Sequence, residues 1–93
     1  MKQAIVNGIV HTGDEILNKA VVIIENGIII SVQNEIPEAV NLIDLKGKHL
    51  SAGFIDIQIN GGQKLYFSQY PTEETIQDIY ETSLKFGTTH TLP

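Results

Sequence analysis

The sequence predicts an α/β chain in two parts: a compact, mostly antiparallel β unit over residues 1–50, then a βαβ unit over residues 51–93. Three observations carry this reading. Fifteen of the 93 residues are isoleucine, against six valine and seven leucine, and a side chain stiff at its first torsion suits a pleated, half-buried surface. Two Asn-Gly pairs, Asn7-Gly8 and Asn26-Gly27, interrupt the apolar runs of the first half. Helical spacing of apolar residues begins only after Thr72.

Taken in order, residues 3–12 and 20–33 each place two short apolar runs around an Asn-Gly pair. Both read as hairpins, because Asn and Gly tolerate the positive φ angles of a type I′ turn, whose twist matches that of the flanking strands. Thr12-Gly13-Asp14-Glu15 links the two, and Glu35-Ile36-Pro37-Glu38 follows as a loop. A short strand, Asn41-Leu42-Ile43-Asp44-Leu45, leads into the turn Lys46-Gly47-Lys48. After Ser51-Ala52-Gly53 comes a strand over residues 54–60, with Phe54, Asp56, Gln58 and Asn60 on one face and Ile55, Ile57 and Ile59 on the other. Gly61-Gly62 ends it, and the stretch to Tyr70 is a loop without a period. A helix follows over 73–86, with Thr72 as N-cap, Glu73 and Glu74 in the first turn, Ile76, Ile79, Tyr80 and Leu84 at helical spacing, Lys85 in the last turn and Gly87 as C′ residue. Residues 88–92 read as a further strand. The two strands of a βαβ unit are normally parallel and covered on both faces. One unit cannot bury both, and a closed barrel of eight takes roughly 250 residues, so the chain reads as the front portion of something longer.

Composition narrows the function. Six Lys and no Arg stand against eleven Asp plus Glu, a net charge of −5, which excludes the basic footprint of a nucleic-acid binder. No apolar run approaches the ~20 residues of a membrane span, and the first residues lack the apolar core of a signal peptide. Without cysteine there is no disulfide framework and no thiolate chemistry. A soluble, cytoplasmic chain is expected.

Reacting groups in parallel α/β architectures gather at the C-terminal ends of strands, and Gln58, Asn60, Gly61 and Gly62 occupy such an end here. A polar strand face equally suits a buried hydrogen-bond network, and spacing alone does not choose. Asp56, nearer mid-strand, reads as a buried structural carboxylate. His11, His49 and His90 have no metal-ligand spacing. The first two fall near turns or edges of the β unit, remote from the strand end, while His90, late in the second parallel strand, is a candidate neighbour of the site. Tyr66, Phe67 and Tyr70 read as residues that clamp the loop onto the core. A lone Gly-Gly is a weak anion-binding signal.

The segment Ser51-Ala52-Gly53-Phe54-Ile55-Asp56-Ile57-Gln58-Ile59-Asn60-Gly61-Gly62 resembles the Pro-Gly-Phe-Ile-Asp signature of the amidohydrolase superfamily, and more closely that of its N-acetylglucosamine-6-phosphate deacetylases. The Asn-Gly runs, Ile43-Asp44-Leu45-Lys46-Gly47-Lys48 and the closing Gly87-Thr88-Thr89-His90-Thr91-Leu92-Pro93 fall in that family's order, with Ala52 where Pro is usual. The resemblance implies the N-terminal half of a small β-sandwich followed by the first βαβ unit of an incomplete (β/α)8 TIM barrel, with the boundary near residue 50. It implies hydrolysis of the acetamide of N-acetylglucosamine 6-phosphate to glucosamine 6-phosphate and acetate by a metal-activated water. The His-x-His that most superfamily members carry at this strand end is replaced by Gln58 and Asn60; amides are poorer zinc ligands than imidazoles. A branch of the deacetylases shares this pattern. It holds one divalent metal ion, with zinc expected, by a Glu and two His from later strands, and uses a later Asp as acid and base. No catalytic residue and no metal ligand is therefore expected within residues 1–93, and the isolated chain is expected to be inactive. Gln58, Asn60, Gly61, Gly62 and His90 are expected beside the substrate or metal. The complete enzyme is expected to be a homodimer acting on an amino-sugar phosphate, with no nucleic-acid or membrane partner. Two other classes stand beside this reading: a non-catalytic β-rich binding or assembly module, and a dihydroorotase-like or deaminase-like amidohydrolase.

Overall fold

The computed structural model describes residues 1–92 and divides into two compact units, Met1–Ala52 and the residues from Gly53 onward. Pro93, the last residue of the closing segment, lies outside the described residues. The described chain is mostly β-strand with one α-helix.

Seven strands build the first unit: β1 Lys2–Val6, β2 Ile9–His11, β3 Ile16–Leu17, β4 Val21–Glu25, β5 Ile28–Gln33, β6 Asn41–Asp44 and β7 His49–Leu50. They form two sheets, ordered β5-β4-β1-β6 and β3-β2-β7. Each sheet is mixed, because β6 joins β1 and β7 joins β2 in parallel, while the other pairs are antiparallel. Strand alternation sends Ile5 and Val22 to one face of the larger sheet, where they meet Val10 and Ala20, with Leu17, Leu45 and Leu50 packed around them. The next residues along, Ala4, Val21 and Ile23, are buried on the opposite face with Val6 and Val40. Burial on both faces explains the unbroken apolar run of β4. Val22 and Ile23, each 2% exposed, contribute roughly 1.5–3 kcal/mol apiece.

The two Asn-Gly pairs, alike in sequence, do different things. Asn26 and Gly27 have φ angles of 52° and 77° and close β4 onto β5 with Glu25 opposite Ile28, the expected type I′ hairpin. Asn7-Gly8 is not a hairpin turn: β1 and β2 belong to different sheets. Asn7 is left-handed, with φ 59°, but Gly8 is not, so the chain crosses between sheets instead of folding back. Gly8 is required by proximity. A Cβ there would lie 2.6 Å from the Lys48 carbonyl oxygen and 2.7 Å from Leu45 Cβ. The side chain of Asn7 secures the crossing by donating to Asp44 Oδ1 at 2.9 Å, and Gly47 N–H donates to the Asn7 carbonyl at 2.8 Å.

One further expectation for this unit is corrected. Thr12-Gly13-Asp14-Glu15 is no linker but the turn of a β2–β3 hairpin, in which His11 faces Ile16; Thr12 N–H donates to the Glu15 carbonyl and Thr12 Oγ1 accepts from Glu15 N–H, both at 3.0 Å. The two-residue strands β3 and β7 carry too few residues to show a period of two.

The second unit consists of β8 Phe54–Asp56, α1 Glu73–Lys85 and β9 Thr88–Thr91. β8 and β9 are parallel, so strand, helix and strand form a βαβ arrangement. The helix begins as its sequence dictates: Thr72 Oγ1 accepts from Thr75 N–H at 3.3 Å. It ends at Phe86, with Gly87 left-handed at φ 85°. Its apolar face is narrower than the spacing predicts. The buried line is Thr75, Ile79 and Ser83, while Ile76, Tyr80 and Leu84 are exposed. The strand expected over 54–60 stops at Asp56, because Asp56 Oδ1 accepts from Gln58 N–H at 3.0 Å and turns the backbone out of the ladder.

Candidate functional site

The strand end is built from three local devices. The first is the Asp56 turn, which sets Gln58 just beyond β8 with its side chain exposed. Asp56 itself is half-buried, and its carbonyl accepts from Leu92 N–H at 2.9 Å. The second is a narrow ribbon over residues 60–67. The Asn60 carbonyl accepts from Phe67 N–H at 2.7 Å, Gly61 bridges Tyr66, and Gly62 N–H donates to the Leu65 carbonyl at 3.0 Å. The third is the helix. Asp78 Oδ2 accepts from the N–H groups of Lys64 and Leu65, each at 2.9 Å, and Thr82 Oγ1 accepts from Gln63 N–H at 2.9 Å.

Gly61 and Gly62 thus have packing reasons for being glycine. A Cβ on Gly61 would meet Tyr66 Cα at 3.0 Å, and one on Gly62 would meet Asp78 Cγ at 2.6 Å. The anion-binding capacity of the loop is already used: successive N–H groups that would cradle a phosphate converge on the protein's own Asp78 carboxylate. The Lys64 N–H is the main influence holding that carboxyl below the usual aspartate range; partial burial opposes it, and the Leu65 N–H, the Lys64 charge and the Thr82 hydroxyl assist.

Gln58 and Asn60 leave their amide side chains exposed at this end. His90 stands opposite Ile55, within the ladder and before the strand end, and its Nδ1 lies 2.9 Å from Thr89 Oγ1. The two tyrosines expected to clamp the loop do not: Tyr66 is 65% exposed and Tyr70 48%. Only Phe67 is half-buried.

One pairing escaped sequence reasoning. His11 Nε2 lies 2.7 Å from His49 Nδ1, because the parallel register sets Ile9 opposite His49 and His11, two residues on, shares that face. The ring centroids are 5.0 Å apart with 27° between planes. With the nitrogens 2.7 Å apart and the ring centres 5.0 Å apart, the two nitrogens lie close to the line joining the centres. The rings meet edge to edge through an N–H···N bond, one donating and the other accepting. Nitrogens aimed at each other do not converge on a third point, and among the described residues no group of three or more His, Cys, Asp or Glu is placed to hold a metal ion. The donor set of residues 1–92 therefore does not fit a metal centre. Two exposed amides at the strand end do not change that.

Comparison with known proteins gives the context. Over 95 aligned positions the chain is 40% identical to an N-acetylglucosamine-6-phosphate deacetylase from Haemophilus influenzae, covering 100% of this chain and 25% of that protein. Over 44 residues it is 50% identical to an N-acetylgalactosamine-6-phosphate deacetylase from a Shewanella species, covering 47% of this chain and 11% of that one. Among solved structures, the N-acetylglucosamine-6-phosphate deacetylase from Pasteurella multocida matches with a TM-score of 0.94 at 34% identity, over 100% of this chain and 25% of that one. The chain thus spans about a quarter of the length of its full-coverage relatives. The profile of the family described as the NagA composite domain matches residues 3–50, and the chain belongs to that family.

Proposed function

We propose that these 93 residues are the N-terminal portion of an N-acetylglucosamine-6-phosphate deacetylase, in which water cleaves the acetamide C–N bond to leave glucosamine 6-phosphate and acetate. The observation that carries this reading is the 40% identity to such a deacetylase along the whole chain, strand end included. Residues 1–50 are then half of a small β-sandwich, and residues 51–93 the first βαβ unit of a (β/α)8 barrel. Gln58 contributes a hydrogen-bonding amide near the substrate and Asn60 shapes the pocket, Gly61 lets the two sides of the ribbon close on each other, Gly62 lets the ribbon approach the helix, and His90 lies near the pocket wall. The divalent metal ion of this reading, with zinc expected, is held by residues outside these 93, as are the acid–base carboxyl and the cations that receive the phosphate. The complete enzyme is a cytoplasmic homodimer. Residues 1–93 alone do not turn over.

The sugar is the point on which a second reading has an observation of its own. The shorter match to an N-acetylgalactosamine-6-phosphate deacetylase makes the 4-epimer the competing substrate. Acetate release from each sugar phosphate, measured on the complete protein with and without chelator, tests both. Turnover of N-acetylglucosamine 6-phosphate that is lost on chelation and restored by metal is expected. No turnover of either sugar refutes the deacetylase reading, and preference for the 4-epimer refutes the choice of sugar.

A further inference from the structure

Three successive backbone N–H groups at the tip of the 60–67 ribbon are captured by two side chains one turn apart on α1. Gln63 N–H goes to Thr82 Oγ1, and those of Lys64 and Leu65 go to Asp78 Oδ2, all at 2.9 Å. Thr82 Oγ1 also lies 3.5 Å from Asp78 Oδ1, to which it donates, so the acceptors form a connected pair. The ribbon's other end is the candidate site, where the Asn60 carbonyl holds Phe67 N–H. Besides its internal hydrogen bonds, the ribbon is tied at its base by Ile59 N–H on the Leu92 carbonyl at 3.5 Å and at its tip by Lys85 Nζ on Gln63 Oε1 at 3.4 Å, so freeing the tip leaves it hinged at that base. The helix supplies the fixed point.

We propose that Asp78, with Thr82, is a positioning residue for the candidate substrate site: it fixes the ribbon against α1 and thereby holds Asn60, at the ribbon's base, in the orientation that receives the sugar. This rests on the deacetylase reading above. Neither residue touches the strand-end amides, so both act through the ribbon. The close approach of Gly62 to Asp78 Cγ has the same origin, since a side chain there would wedge the latch open. A hollow of about 210 Å³ beside the latch is lined by Lys64, Glu74, Gln77 and Glu81 as well as Asp78, so the charged groups around the carboxylate are one Lys and two Glu. Charge-assisted acceptance of two N–H groups is stronger than neutral acceptance. An amide carbonyl accepts the same N–H groups more weakly and without a charge to titrate.

The test uses the complete deacetylase and three variants, Asp78→Ala, Asp78→Asn and Thr82→Val, with kinetics and amide hydrogen exchange read on each. Asp78→Ala is expected to deprotect the amides of Lys64 and Leu65 and to lower kcat/KM by about 10- to 100-fold, since a displacement of about 1 Å at a site costs up to that much. Asp78→Asn is expected to recover most of that loss. Thr82→Val is expected to deprotect Gln63 with a smaller kinetic effect. Unchanged protection in Asp78→Ala overturns the latch. Deprotection with unchanged kinetics overturns its positioning role, as does an Asp78→Asn enzyme no better than Asp78→Ala. If the wild-type enzyme turns over neither sugar phosphate, the deacetylase reading falls and the positioning role with it, while the exchange data still report on the latch.

Discussion

Replacing Gly8 by Ala separates a crossing between sheets from a hairpin turn. The added Cβ would sit 2.6 Å from the Lys48 carbonyl oxygen and 2.7 Å from Leu45 Cβ, and would collide with Leu45 Cδ1. Leu45 can change rotamer, but the Lys48 carbonyl is backbone and accepts from Ile9 N–H at 3.0 Å. Relief therefore means shifting the 46–48 turn and loosening that bond. Overpacking of this kind costs about 1–3 kcal/mol, and a weakened hydrogen bond about 0.5–1.5 more. The lower entropy of an unfolded Ala chain returns about 0.4–1. The net expectation is a loss of about 0.5–4 kcal/mol. Gly27, by contrast, has φ 77° and open space for at least 4 Å around the position a Cβ would take, so Gly27→Ala costs only the left-handed backbone, about 1–2 kcal/mol. Asparagine discriminates between them, because it tolerates that backbone but brings more atoms: Gly27→Asn should be milder than Gly27→Ala, and Gly8→Asn at least as harmful as Gly8→Ala. All six Phe and Tyr residues lie at or beyond Phe54, so aromatic fluorescence does not report on this unit. Native-state hydrogen exchange at Val22 and Ile23, with far-UV circular dichroism, does. A Gly8→Asn protein more stable than Gly8→Ala would show that Gly8 is held by its dihedral angle and not by Leu45 and Lys48.

Asp44 accepts from Lys46 N–H at 2.8 Å and from the Asn7 amide, and these two bonds, the first the larger, hold its carboxyl below the usual range. Its contribution to stability is therefore complete above the ordinary aspartate value near 3.9 and fades as pH falls through the lower folded value; Asp44→Asn should melt lower than wild type at pH 7 and converge with it under acid conditions. Thr72→Ala removes the cap on Thr75 N–H and should cost about 1 kcal/mol, with Thr72→Asp recovering it, as read by exchange of the first-turn amides. Ile79, 1% exposed, should cost about 2–5 kcal/mol on truncation to Ala by urea denaturation. The same change at Ile76, 49% exposed, should cost under about 1 kcal/mol in the 93-residue chain.

What was legible in the sequence was local. Thr72, Glu73, Glu74, Lys85 and Gly87 act within one or two turns of where they stand, so the helix and both its ends follow from composition and spacing. The Asn26-Gly27 hairpin is legible for the same reason. Pairing across the chain is different. Nothing near Asn7 records that β1 will take β4 and β6 as neighbours, and the dipeptide alone fits both a turn and a crossing. The His11–His49 bond depends on a parallel register between strands of three and two residues, with 37 residues between the two histidines. No periodicity window spans that distance. The helix face was overestimated because spacing identifies which residues share a side, not how much of that side a neighbour covers.

The candidate site shows the same limit at closer range, with a consequence for its chemistry. Strand alternation would set Asp56, Gln58 and Asn60 on one face, their mutual geometry fixed by the ladder. Asp56 instead spends one carboxylate oxygen on Gln58 N–H, which ends the strand two residues before the first candidate amide. Beyond it Ile59 N–H still reaches the Leu92 carbonyl at 3.5 Å, and the ribbon that follows is held by three acceptor bonds from α1. A ladder fixes side chains through bonds repeated at every second residue, so one weakened bond is shared among many. Here the three N–H groups at the ribbon tip depend on two side chains, Asp78 taking two of them and Thr82 one. On the positioning role proposed for Asp78 and Thr82, changes at these two positions are expected to move Asn60 while β8 and β9 stay paired, a freedom that a site built wholly within the ladder lacks.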